Sequence, residues 1–124
     1  MKMTDKNRLY VDINVALYEE YKRCLFDDDK VIRKKTKLYK YISRDVSTLI
    51  KILCDKPNAL SDNNLIRINK KIINAYGNAY KRKVITLEDD IFDLLVSMRH
   101  QRFDVDTLMN YAFMCRIYTY NQKR

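Results

Sequence analysis

Two stretches of this chain share one pattern, and each opens with something that cannot stand alone. Residues 8–13, Arg8-Leu9-Tyr10-Val11-Asp12-Ile13, alternate apolar and polar side chains and run into a helical pattern over 15–26. Residues 82–87, Arg82-Lys83-Val84-Ile85-Thr86-Leu87, lie 74 residues further on and precede helical patterns over 88–100 and 105–113. Alternation puts Leu9, Val11 and Ile13 on one face of a strand and Tyr10 and Asp12 on the other. A lone six-residue strand leaves its N–H and C=O groups unpaired and is not stable by itself. Each segment therefore requires a second copy to pair with.

The rest of the chain reads as helix. It contains one glycine and one proline among 124 residues, too few turn-formers for a many-stranded sheet. Apolar residues make up 47 %, enough for a core. Asn14 can cap a first helix carrying Leu17, Tyr21, Cys24 and Leu25, which a run of three aspartates, Asp27 to Asp29, then interrupts. Residues 30–44 hold seven basic side chains and no acidic one, beside an apolar stripe of Leu38, Tyr41, Ile42, Val46 and Leu49. This predicts a basic amphipathic helix continuing to Cys54, before Asp55-Lys56-Pro57-Asn58 ends it. Ser61 caps a helix over 62–76, with Gly77 at its left-handed end. Glu88, Asp89 and Asp90 suit the dipole of the next helix, and Asp104 caps the last. The expected fold is mainly α: short strands plus about five helices. It divides into a basic first unit, 1–54, and a second unit with its linker helix, 55–124, or forms one domain over 8–120.

The formal charge is +9 and the pI near 9.5, which points to a polyanionic partner. Cys24, Cys54 and Cys115 are odd in number and far apart, so they read as reduced core thiols, with no zinc or disulfide framework. The single histidine, His100, ends a helix, where its charge suits the dipole. There is no nucleophile beside a base, no glycine-rich phosphate loop and no metal-ligand cluster, so neither an enzyme nor a cofactor is expected. No apolar run approaches 18 residues and no signal-peptide pattern opens the chain. A cytoplasmic, nucleoid-associated protein with no membrane partner is the expectation.

The second stretch, Arg82-Lys83-Val84-Ile85-Thr86-Leu87-Glu88-Asp89-Asp90-Ile91-Phe92-Asp93-Leu94-Leu95, resembles the opening of a ribbon-helix-helix protein of the Arc/CopG/MetJ superfamily. Phe103-Asp104-Val105-Asp106-Thr107-Leu108-Met109 is similar to that family's entry into its second helix, and residues 9–42 match the pattern more loosely. The family's usual glycine between the two helices is missing from both copies. The resemblance implies that two units pair their strands antiparallel about a two-fold axis and lay the ribbon in the major groove. It implies outward strand positions at Arg8, Tyr10 and Asp12 in the first copy and at Arg82, Val84 and Thr86 in the second. It also implies a phosphate held by backbone N–H groups at each second-helix start.

The resulting expectation is a homodimeric, sequence-selective double-stranded DNA-binding protein. The regulator, plasmid partition and antitoxin types fit. Lys34, Lys35 and Lys37 would position it on phosphates; Arg8, Tyr10, Arg82 and Thr86 would read bases; residues 43–76 would meet a second protein. Two other readings stand beside it. One is an all-α protein–protein interaction module of the viral helical-bundle type, in which both alternating segments are helical first turns. The other is single-strand or RNA binding by stacked tyrosines.

Overall fold

The computed structural model describes residues 7–28, 38–56 and 58–122. In chain order they form β1 (Arg8–Asn14), α1 (Val15–Asp28), α2 (Leu38–Cys54), α3 (Asp62–Tyr76), β2 (Tyr80–Thr86), α4 (Asp89–His100) and α5 (Val105–Gln122). Two strand-helix-helix units are thus separated by α3. Both alternating segments are extended, so neither is the first turn of a helix, as the helical-bundle reading required.

The strand that each unit needs comes from the other unit of the same chain. β1 and β2 pair antiparallel, with Arg8 opposite Thr86, Tyr10 opposite Val84 and Asp12 opposite Arg82. Leu87 N–H donates to the Asn7 carbonyl at 3.0 Å and Val15 N–H to the Ala79 carbonyl at 2.9 Å, which extends the ladder at both ends. Odd-numbered residues of β1 therefore hold the ladder, while the even-numbered ones turn their main-chain groups to the outer edge.

At Asp12 and Asn14 that edge is closed by α5. Asp12 N–H donates to Asp106 Oδ1 at 3.2 Å, Asn110 Nδ2 donates to the Asp12 carbonyl at 3.0 Å, and Asn14 N–H donates to Asn110 Oδ1 at 2.9 Å. Side chains occupy the sites at which a further strand would add. The counterpart of Asn14 in the second unit is Glu88, whose N–H donates to Ser47 Oγ on α2 at 3.3 Å. Each unit's second helix thus reaches across to the strand of the other.

Below the ribbon the two units share one core. Leu9, Val11 and Ile13 of β1, Ile85 of β2, and Leu87 just after it are buried with Leu17, Tyr21, Ile50, Ile72, Ile91, Leu95 and Phe113. α5 runs through its centre, packed against α1, α2, α3 and β1. The Phe113 ring lies 4.6 Å from that of Tyr21 and 5.2 Å from that of Tyr18. Asp45 on α2 ties α1, α2 and α5 together. Tyr21 Oη on α1 donates to its Oδ2 at 2.8 Å, and Arg116 on α5 engages both carboxylate oxygens, Nε at 3.2 Å from Oδ2 and Nη2 against Oδ1.

Helix ends follow their capping chemistry. Asn14 Oδ1 accepts from Leu17 N–H at 3.1 Å, Ser61 Oγ from Asn64 N–H at 3.2 Å, and Asp104 Oδ1 from Thr107 N–H at 3.0 Å. Gly77 takes a positive φ of 89°. Between α4 and α5, where the resemblance implies glycine, Arg102 carries the positive φ, at 65°.

The structure departs from the sequence reading at the end of the last helix and in the source of the ribbon's second strand. The last helix runs to Gln122 instead of stopping near Phe113, because Ile117 is buried and Arg116 is bonded into the interior. α2 is described only from Leu38, so most of the basic run over 30–44, with Lys34, Lys35 and Lys37, lies outside the described residues. The second strand of the ribbon belongs to the same chain, so a homodimer is not what completes it.

Candidate nucleic-acid interface

Pairing in this register brings six side chains to the outer face of the ribbon. They are Arg8, Tyr10 and Asp12 from β1, and Thr86, Val84 and Arg82 opposite them. These are non-hydrogen-bonded pairs, the closer kind, with Cα atoms about 4.5 Å apart. The structure thus unites four of the seven residues singled out from sequence: Arg8, Tyr10, Arg82 and Thr86. Three pairs along four residue steps span roughly 14 Å.

The face is polar at both ends and apolar in the middle. Tyr10 is 53 % exposed beside half-buried Val84. At one end Arg8 stands across from Thr86. At the other, Arg82 Nε lies 3.4 Å from Asp12 Oδ1, with the side chains 63 % and 47 % exposed. Such an exposed ion pair is worth about 0–1 kcal/mol, so it orients Arg82 without locking it. Beyond that pair the face stops at α3, where Tyr80 Oη donates to Asn69 Oδ1 at 3.4 Å.

The inner face of β2 contains a feature that sequence reading missed. Lys83 falls opposite Val11 on the core side, with its ammonium 5.7 Å from the centre of the Tyr18 ring. Lys22 lies 4.9 Å from the same ring. Burial, with the charge of Glu19 added, pushes the Tyr18 hydroxyl up to about 12. Of the run Lys81-Arg82-Lys83, then, the strand's alternation gives only Arg82 to the outer face.

A second element missed from sequence is the polar pair Asp106 and Asn110 that holds β1. Their signal was present: Asn110 interrupts the apolar series Leu108, Met109, Ala112 and Phe113, and it is buried. Burial raises the Asp106 carboxyl above its ordinary range, against the lowering effect of the Asp12 N–H and of Arg99, whose Nη2 is 3.3 Å away.

The start of α5 does not match the phosphate site that the resemblance implies. Asp104 already accepts the Thr107 N–H and, at 2.7 Å, the Thr107 hydroxyl, while Asp106 adds a second carboxylate in that turn. Both repel an anion. Lys40 and Arg44, on the first turns of α2, are exposed.

Of the expected partner segment over 43–76, most of the large aliphatic side chains pack into the core, while about half of its described residues are exposed. Val46, Leu49, Ile50, Leu53, Leu65, Ile68 and Ile72 are buried, leaving Ile52 and Ile66 as its exposed large apolar side chains. Seven of the ten tyrosines are buried or half-buried, against three exposed ones, Tyr10, Tyr39 and Tyr118. Among the described residues no group of three or more His, Cys, Asp or Glu could hold a metal ion, and no helix is long and apolar enough to cross a membrane. Burial pushes the Cys54 and Cys115 thiols up, away from the reactive thiolate. No protein-family model matches the chain, and neither curated proteins nor solved structures give a match.

Proposed function

We propose that this protein binds double-stranded DNA sequence-selectively, laying the outer face of its two-stranded ribbon in the major groove in the manner of ribbon-helix-helix proteins. Transcriptional regulation, plasmid partition or antitoxin action are roles suited to such a molecule. The observation that carries the reading is the register. It gathers Arg8, Tyr10, Arg82 and Thr86 on one exposed face of an antiparallel ribbon whose other face is core. A two-stranded ribbon is narrow enough to enter a major groove about 12 Å wide. Arginine can pair with guanine O6 and N7, a hydroxyl can serve either donor or acceptor, and valine can meet a thymine methyl. The net charge of +9 supplies the sequence-independent attraction.

Titration of fluorescent random-sequence duplex with the full chain over a range of salt tests the reading. Binding should weaken steeply as salt rises. Replacing Arg82 and Thr86 by alanine should flatten preference among sequences while leaving non-specific affinity nearly intact. Equal losses on every sequence would refute base readout, and absence of duplex binding at low salt would refute the function.

A further inference from the structure

Both strands of the ribbon come from one chain, and its two halves are not alike. The repeat offset makes Arg82, Val84 and Thr86 the counterparts of Arg8, Tyr10 and Asp12. The register sets Tyr10 directly opposite its own counterpart Val84, and it sets Arg8 opposite Thr86 just as Arg82 lies opposite Asp12. A pseudo-two-fold axis therefore passes between Tyr10 and Val84. In a ribbon of two identical chains such an axis forces identical half-sites. Here only the arginine recurs; tyrosine faces valine across the axis, and aspartate stands where the other half has threonine.

We infer that one copy of this chain reads a short, non-palindromic duplex element, with the Arg8 end and the Asp12–Arg82 end recognising different bases. The inference rests on the proposed DNA-binding function and specifies its substrate. The chemistry of the two ends differs in sign. Arg8 and Thr86 together offer donors and a hydroxyl, a set suited to guanine. The Asp12 carboxylate, 3.4 Å from Arg82, repels guanine O6 and N7 and accepts from a cytosine amino group. At the centre Val84 gives an apolar surface for a thymine methyl beside the Tyr10 ring. The helix α3 deepens the asymmetry, since it bounds the Asp12 end through Tyr80 and Asn69. The roughly 14 Å between the outer pairs matches the rise of about four base pairs.

Selection of duplexes from a random library on the full chain, with the mass of the complex measured on the winning duplex, tests this. The expected result is one non-palindromic core, bound by one chain. Inverting one end of that core should weaken binding about 5- to 150-fold per mismatched base pair, the equivalent of 1–3 kcal/mol. A palindromic core, or two chains on one core, overturns the inference while leaving DNA binding standing. No enrichment, with no duplex binding at low salt, overturns the function and the inference together. A double variant, Tyr10→Val with Asp12→Thr, gives the two strands the same outward side chains. Both positions face solvent, and circular dichroism checks that the variant folds. It should now select a palindromic core of the same length. If it keeps the original asymmetric core, the outer face is not what reads the sequence. The single change Asp12→Thr should alter preference at one end only, and altered preference at both ends counts against the assignment.

Discussion

Replacing Asn110 by alanine should cost this protein about 2–5 kcal/mol, far more than an ordinary helix position. The side chain makes three hydrogen bonds: it accepts from Asn14 N–H at 2.9 Å and donates to the carbonyls of Asp12 at 3.0 Å and Asp106 at 2.8 Å. Truncation leaves the Asn14 N–H and the Asp12 carbonyl facing a helix with nothing to pair with. Asn14 is completely buried, so water cannot replace the lost partner. Each orphaned buried group costs about 1–3 kcal/mol, and the void left beneath the strand adds to it. Against a typical domain stability of about 5–15 kcal/mol the loss is large. Urea unfolding followed by circular dichroism should show the midpoint fall with little change in slope. Hydrogen exchange should then find the Asp12 and Asn14 amides opening first. The pseudo-symmetric change, Ser47→Ala, removes a single longer bond at 3.3 Å to the N–H of exposed Glu88, and should cost about 1 kcal/mol or less. If Asn110→Ala costs less than about 1 kcal/mol, or if the two changes cost the same, α5 does not hold the ribbon edge as argued.

Further outcomes follow from other parts of the molecule. If Lys34, Lys35 and Lys37 neutralise three phosphates, replacing all three by alanine should lower the log–log salt slope of duplex binding by about 2.7, and an unchanged slope would remove them from the interface. Arg102→Gly should be neutral or stabilise by up to about 1 kcal/mol, because the residue sits at φ 65°, whereas Arg102→Val should destabilise; thermal unfolding distinguishes them. Ser43→Ala should stabilise by about 1 kcal/mol, since among the described residues the Ser43 hydroxyl is buried without a partner. Alkaline titration followed by phenolate absorbance should show Tyr18 ionising late. Its folded value of about 12 exceeds the ordinary 10, so its contribution to stability is complete below pH 10 and disappears as pH rises through about 12.

Much of the architecture was legible because local signals agreed. Alternation at Leu9, Val11 and Ile13 fixed a strand and its buried face; Asn14, Ser61 and Asp104 marked three helix starts; and the spacing of Leu65, Ile68 and Ile72 marked α3. The outward positions that the resemblance implied at Arg8, Tyr10, Arg82 and Thr86 agree with the observed register, in which residues two apart share a face. What was hidden belongs to the tertiary level. α5 is buried on nearly all sides, with Thr107 and Asn110 among its buried residues, so it has no one-sided stripe by which to judge its length. The partner of β1 could not be read either, since alternation states that a strand needs a neighbour and not whose. Nor does sequence period show Lys83 crossing to an aromatic ring on α1.

Joining the two units in one chain changes the thermodynamics of the ribbon. Between separate chains, strand pairing depends on protomer concentration, and dilution dissolves it. Within one chain, α3 and its flanking turns fix a local concentration that dilution cannot alter. The Asp45–Arg116–Tyr21 junction adds to this, because it clamps the second helix of one unit to the second helix of the other and to α1. A largely buried junction of this kind is costly to break from one side, since the partner charge is left behind. The ribbon therefore exists before any ligand is met, and its unfolding should be independent of protein concentration. Preorganisation also releases the two strands from being identical. Self-pairing would require Asp12 to appear twice on the outer face, doubling its repulsion of phosphate. In a single chain it appears once, beside Arg82, and the opposite end carries threonine.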